Sequence, residues 1–319
     1  MILNKNEFPP LLAAWLVEDT YHYINNPKYI SATSIIRPTR EIILSSRVKD
    51  EKDIDLNTIL NSKIGSATHD ALQNLWTSGN YKKSLKLLGY PDKFIESIKV
   101  NPEEPNKEDT NVYVEQRYFR KLNGWTIGGQ FDIVFNGQLN DYKTTSTLSY
   151  LKQSRKNEYI LQGSIYRWLC PDIITSDTVA INYIFTDWSK VQANSDPNYP
   201  ANKCIKVEYP LISLKEIEEY LVNKLRELDA YWDKEENKIP HCPTDSLWMS
   251  PTVYKYYSNP LKTTGRSTKN FDNLEEAHAY WYQTKQGKGT IITQAGEPRK
   301  CKYCNAYPIC TQRRTYFND

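Results

Sequence analysis

The chain has 319 residues, with 41 basic side chains against 38 acidic ones, four histidines and a formal net charge of +3. So even a balance announces no polyanion partner, and any nucleic-acid surface must come from local clustering. A mean hydropathy of −0.67 with 13% aromatic residues excludes a disordered protein and describes a polar-surfaced globular chain of one or two domains.

The longest apolar run, Phe8 to Val17, holds two prolines and is too short to span a bilayer. Glu18 and Asp19 after it do not resemble a signal cleavage site, so the protein is expected to be soluble and cytoplasmic. Leu11, Leu12, Trp15, Leu16 and Val17 predict an opening helix over 11–25 that packs on the core. Arg37, Arg40, Arg47 and Lys49 make a basic stretch that either meets a phosphate backbone or is solvated. Residues 62–76 read as a helix with Gly65, His69, Leu72 and Trp76 at spacings of three and four. That puts His69 on a half-buried face, where a lone histidine is more often a core residue than a ligand. Residues 101–110 are a polar loop.

Val112 to Thr145 alternates apolar and polar residues around Asn123-Gly124 and Asn136-Gly137, the strongest short hairpin signal. Two-residue turns pair Leu122 with Trp125 and Phe135 with Gln138. Counting back along the strands sets Asp132 opposite Glu115 on one side and Asp141 on the other. Opposed residues have Cβ atoms about 4.5–5.5 Å apart, where like charges repel. A sheet would not keep three anions abreast without a cation. The period-2 pleat returns Lys143 to the face of Asp141 and turns Tyr142 away. The bland alternatives are solvated strand residues on an exposed face, or a bulge at Gly128-Gly129 that would destroy the row.

Ser149 to Leu169 reads as helix and puts Gln162 and Tyr166 side by side at i and i+4, preceded by Lys152, Arg155 and Lys156. Val179 to Phe185 reads as a strand, Asp187 to Asn202 as a long irregular loop, and Leu214 to Asp233 as an amphipathic helix. Beyond Pro240 the composition shifts to Pro, Cys, Ser and Tyr, which predicts a core over 1–240 and a Cys-rich segment over 241–319.

Cys301, Cys304 and Cys310 have C-x₂-C-x₅-C spacing, which brings three thiolates to one metal or cluster. Cys242 is the candidate fourth ligand, with His241 as the fallback, while Cys170 and Cys204 read as lone thiols. Four cysteines fit tetrahedral Zn²⁺ or an iron–sulfur (4Fe–4S) cluster, and free thiols are the third possibility.

Gly65-Ser-Ala-Thr-His69, Glu115, Gly129-Gln-Phe-Asp132, Asp141-Tyr-Lys143 and Gln162-Gly-Ser-Ile-Tyr166, in that order, resemble the RecB-type branch of the PD-(D/E)XK nuclease superfamily. The match runs over about residues 30–170 and continues into the cysteine segment, as in phage-encoded members. The resemblance implies an α/β restriction-endonuclease-like core, a mixed central sheet flanked by helices. It implies that His69, Asp132 and Asp141 ligate catalytic Mg²⁺ or Mn²⁺ with the Tyr142 carbonyl. Lys143 would orient or deprotonate the attacking water, Glu115 would hold a second metal or a metal-bound water, and Gln162 and Tyr166 would support the site and touch the substrate strand. The iron–sulfur members of this branch take their first cysteine from ahead of the core; here no cysteine precedes Cys170, and Arg37 stands about where it would be. Either metal at the cysteines would clamp the C-terminal segment onto the core. The implied function is a metal-dependent DNA exonuclease acting on ends in phage-type replication or recombination. An endonuclease of the same fold, an RNA nuclease and a non-catalytic DNA-binding or virion-associated protein are the alternatives.

Overall fold

A computed structural model of the chain describes residues 2–19, 23–48, 54–153 and 155–317. The chain opens with β1 (Ile2–Leu3), α1 (Pro10–Val17), β2 (Tyr29–Ser31), α2 (Ala32–Ile35), α3 (Thr39–Arg47) and β3 (Ile54–Asp55). Helices α4 (Leu56–Thr77), α5 (Tyr81–Leu87) and α6 (Asp92–Ser97) follow, then β4 (Ile98–Val100), β5 (Thr110–Val114), β6 (Arg117–Leu122), β7 (Trp125–Gln130), β8 (Ile133–Phe135) and β9 (Gln138–Thr145). Next come α7 (Thr147–Leu151), α8 (Lys156–Leu169), β10 (Thr178–Phe185), α9 (Lys190–Ser195), β11 (Cys204–Pro210) and α10 (Leu214–Tyr231). The last part holds β12 (Val253–Tyr257), β13 (Lys269–Phe271), α11 (Leu274–Ala279), β14 (Thr290–Gln294) and α12 (Arg299–Tyr303).

This mixed α/β chain divides into two compact units, Met1–Arg37 with Asp50–Ala230, and Pro38–Lys49 with Tyr231–Asp319. The division falls before the compositional shift at Pro240, and α3 belongs with the C-terminal unit. Among the described residues no helix is long and apolar enough to cross a membrane.

In the first unit a six-stranded sheet runs in the order β11-β10-β9-β8-β5-β4, and a second sheet runs β2-β7-β6. β9 and β10 are parallel, as are β4 and β5, and the other neighbours of the large sheet are antiparallel. The parallel step from β9 to β10 needs a crossover, and α7 and α8 supply it. Val112, Val114 and Ile133 are buried against Tyr81 and Ile98, each full burial contributing roughly 1.5–3 kcal/mol. Ile217, Leu221, Leu225 and Leu228 give α10 its buried stripe.

Both Asn-Gly turns form as predicted, with Leu122 opposite Trp125 and Phe135 opposite Gln138. No bulge occurs at Gly128-Gly129, since the β6–β7 register is unbroken from Arg117↔Gln130 to Leu122↔Trp125. Both glycines lie under aromatic rings. A Cβ on Gly128 would stand 2.6 Å from the Tyr29 ring, and one on Gly129 would stand 2.6 Å from the Tyr166 ring.

Several expected bounds move for local reasons. Asp55 caps α4 through the Asn57 amide, so that helix starts at Leu56 rather than at 62. The opening helix ends at Val17, and residues 20–22 of its expected span lie outside the described residues. Gln153, at φ 50°, separates α7 from α8 where one helix was expected. Ser189 caps α9 inside the expected irregular loop 187–202, and α10 ends at Tyr231 rather than at 233.

Of the basic stretch, Arg37 is exposed in the first unit, whereas Arg40 and Arg47 of the second unit are held in internal hydrogen bonds rather than turned to solvent. Arg40 is 1% exposed and forms an ion pair with Glu236. Its guanidinium also donates to the carbonyls of Glu236 (3.1 Å) and Ile239 (2.8 Å), and its Nε lies 3.4 Å from Cys310 Sγ. Arg47 donates to the Trp232 carbonyl. The planar fork of Arg40 thus satisfies carbonyls that burial would otherwise orphan. Lys49 lies outside the described residues.

Candidate metal centre

The long antiparallel ribbon predicted from Val112 to Lys121 against Thr126 to Phe135 keeps one register but not one sheet. β5 pairs with β8 in the large sheet, and β6 pairs with β7 in the small one. The break falls at Glu115-Gln116 on one strand and Phe131-Asp132 on the other. Glu115 takes φ 50°, a left-handed conformation uncommon for a residue with a Cβ, and its amide still donates to the Asp132 carbonyl at 2.9 Å. On the other side Asp132 lies one residue beyond the Ile133↔Asn140 pair, where its Oδ2 accepts from the Tyr142 amide at 3.0 Å. Glu115 and Asp132 therefore face each other where the ladder thins to single backbone bonds, Glu115 to Asp132 and Phe131 to Gln116, and where the Asp132 side chain takes the Tyr142 amide.

Helix α4 adds the third group. A Cβ on Gly65 would stand 3.2 Å from Thr144 Oγ1, so the missing side chain lets α4 pass close to β9. His69 follows one helical turn later on the same face. Its Nδ1 lies 3.3 Å from Asp132 Oδ1, and its Nε2 lies 3.1 Å from the Tyr142 carbonyl oxygen. One ligand atom from each of His69, Glu115 and Asp132 falls within 4.8 Å of the others.

Asp141 does not join that trio of ligand atoms. It is 6% exposed, and Lys143 Nζ lies 2.9 Å from its Oδ1 and 2.7 Å from its Oδ2. Burial raises the Asp141 pKa against the pull of Lys143. Burial alone would lower the Lys143 pKa, but the charges of Asp141 and Asp132 more than reverse this and keep the ammonium protonated.

Burial and the Asp132 charge push the Glu115 carboxyl up to about 7. Its hydrogen bond to Asp132 raises the pKa of His69 above the usual histidine range, against the effect of burial. Two residues given no role in the sequence reading hold Glu115 in place. Gln130 Nε2 donates to Glu115 Oε2 at 2.7 Å, and Arg117 donates to Gln130 Oε1 through Nε (3.1 Å) and Nη2 (2.8 Å). The register that placed Glu115 opposite Asp132 also pairs Arg117 with Gln130, so the same count would have found them.

Gln162 Nε2 donates to Tyr166 Oη at 2.9 Å, the predicted i,i+4 contact on α8. Tyr166 is buried, and that burial raises its pKa strongly. Its ring covers Gly129, which fixes α8 to the strand that ends at the break.

In the second unit Cys242, Cys301, Cys304 and Cys310 line one cavity with Arg40 and Lys300, while His241 does not line it. Gln312 holds Cys242 there, accepting from its amide at 2.8 Å and donating to its carbonyl at 2.9 Å. Burial first, then the neighbouring thiols, pushes Cys242 up to about 12 and Cys301 up to about 11. Among the described residues, however, no three of these sulfurs lie within 4.8 Å of one another. Cys170 is buried at the end of α8, Cys204 is exposed on β11, and neither lines the cavity.

No protein-family model matches the sequence, and no curated protein matches it. Among solved structures, the chain is similar to the crystal structure of SSO0001 at 14% identity, over 73% of this chain and 91% of that one, with a TM-score of 0.42. It is also similar to a phage-related exonuclease from Haemophilus somnus 129PT at 16% identity, over 35% of this chain and 57% of that one, with a TM-score of 0.24.

Proposed function

We propose that the chain is a divalent-metal-dependent nuclease with a restriction-endonuclease-like core, hydrolysing DNA phosphodiester bonds as an exonuclease in phage-type replication or recombination. The observation that carries this reading is the gathering of His69, Glu115 and Asp132 ligand atoms within 4.8 Å at a break in strand pairing, with the Lys143–Asp141 ion pair on the adjoining strand. Two carboxylates and an imidazole are a donor set suited to Mn²⁺ or Mg²⁺. His69, Glu115 and Asp132, with the Tyr142 carbonyl, would hold the cation, which supplies positive charge against the scissile phosphate and acidifies water, while Asp141 stays paired with Lys143. Lys143 carries its proton in the ion pair and so acts as a donor that orients the attacking water. Gln130 and Arg117 position Glu115. Gln162 and Tyr166 brace α8 against the site, and Gln162, the half-buried one of the two, contacts the substrate strand.

Cleavage of linear and circular DNA, each single- and double-stranded, tests the activity. Linear DNA alone should be degraded with Mn²⁺ or Mg²⁺ and not in EDTA, and Lys143→Ala should reduce the rate by about 100-fold or more. Cutting of circles would make the enzyme an endonuclease. No turnover with either metal, by protein that binds DNA, would replace the enzyme with a DNA-binding protein.

The raised pKa values of Glu115 and His69 give a pH signature. For Glu115 the stabilising contribution is full below its ordinary 4.5 and is lost as pH rises through about 7; for His69 it is full below 6.5 and is lost above its raised value. The metal-free protein should therefore lose melting temperature as pH rises from about 4.5 through about 7, and Mn²⁺ should restore more at the upper end, because ligands must shed protons to bind it. In Glu115→Gln that difference should shrink. An Mn²⁺ increment that is equal at both pH values would contradict the ligand assignment.

We further propose that the four cysteines hold a structural metal, Zn²⁺ or an iron–sulfur cluster. An all-thiol donor set with Arg40 Nε 3.4 Å from Cys310 suits a soft metal, whose charge would turn thiols of raised pKa into thiolates. Metal analysis of anaerobically purified protein should find about one zinc per chain, or iron and sulfide with visible absorbance. Cys242→Ser should lower the content. Neither metal in folded protein would return these residues to free thiols.

A further inference from the structure

Residues 253–294 of the second unit form a small ββαβ module, the antiparallel sheet β13-β12-β14 with α11 and a π-helical turn, Tyr280–Thr284, packed on one face. Tyr256, Phe271 and Ala277 are its buried core. Tyr256 pairs with Lys269 and Ile291, and Tyr257 pairs with Thr290, so the connection 258–268 and the turn 285–289 leave from one end of the sheet. Tyrosine hydroxyls fix both segments to β12. Tyr256 Oη donates to the Lys288 carbonyl at 2.8 Å, and Tyr257 Oη donates to the Gly265 carbonyl at 3.2 Å.

That end carries Lys262, Arg266, Lys269, Lys285 and Lys288, and no acidic residue occurs in 258–269 or 284–290. The module's carboxylates, Asp272, Glu275 and Glu276, follow Phe271, whose partner Tyr254 lies toward the opposite end. The charge is thus sorted along the sheet. Lys262, Arg266, Lys269 and Lys288 are exposed and Lys285 is half-buried, and among the described residues none of the five has a salt bridge. Lys269 lies 4.6 Å and Lys285 5.5 Å from the centre of the Tyr280 ring, so one aromatic side chain contacts two ammonium groups. Like charges gathered in this way are favourable when a polyanion neutralises them. Tyr282 and Leu261, 74% and 92% exposed, add apolar surface from the π-helical turn and the β12–β13 connection.

We propose that this end of the ββαβ module docks the phosphate backbone of DNA through Lys262, Arg266, Lys269, Lys285 and Lys288. The choice of DNA as the polyanion rests on the nuclease reading; the sorted charge does not. Binding of the full chain to a fluorescent DNA duplex, followed in EDTA between about 50 and about 200 mM salt, tests it. Replacing Lys262, Arg266, Lys285 and Lys288 with Ala should weaken binding at least ~10-fold and reduce the salt slope by about 3.6, since each of the four phosphate contacts adds ~0.9. Lys262→Arg, Lys285→Arg and Lys288→Arg together should keep the wild-type slope, which separates lost charge from misfolding. Coincident isotherms and slopes for wild type and the alanine variant would overturn the surface. EDTA silences metal-dependent turnover, so that result leaves the nuclease reading standing, and an absence of cleavage leaves the binding result standing.

Discussion

Everything proposed for the first unit depends on one break in strand pairing. Two strands that share a register from Val112 to Leu122 part into two sheets at Glu115 and Asp132, where single backbone bonds from Glu115 to Asp132 and from Phe131 to Gln116 carry the register across. The Asp132 carboxylate accepts the Tyr142 amide, and Glu115 turns through a left-handed conformation while still donating to the Asp132 carbonyl. Strained residues of this kind persist where the surroundings over-determine them. Here the Arg117–Gln130–Glu115 chain of hydrogen bonds and the Tyr166 ring on Gly129 supply that constraint.

The charge arrangement follows. Glu115 and Asp132 face each other within reach of one imidazole, and proton uptake by Glu115 and His69 relieves their repulsion. A cation would relieve it in the same way, which is the link between the folding constraint and the proposed chemistry. Asp141 already has its cation in Lys143, so the row of three carboxylates divides into a pair that shares His69 and a single one that is ion-paired.

The hairpins were legible because Asn-Gly turns fix register by local geometry alone, and register places side chains without knowledge of the rest of the fold. The same counting reached Glu115 and Asp132, and helical spacing reached Gln162 and Tyr166. The approach of α4 was not legible, since it depends on Gly65 meeting Thr144 across the fold. The pairing of Arg40 with Glu236, nearly 200 positions along the chain, carries no periodic signal either, and so a buried structural arginine read as a candidate phosphate contact. Cysteine spacing pointed to a common site, and the four thiols do line one cavity. The basic end of the ββαβ module carries no local signal, because its lysines are scattered in sequence and meet only through the register of β12 with β13 and β14.

If the strand break is a metal site, anomalous diffraction from crystals of the protein soaked in Mn²⁺ will show a manganese peak at coordinating distance, about 2.0–2.3 Å, from side-chain atoms of His69, Glu115 and Asp132. Saturating Mn²⁺ that leaves no peak there, or places it away from these three residues, would contradict that assignment.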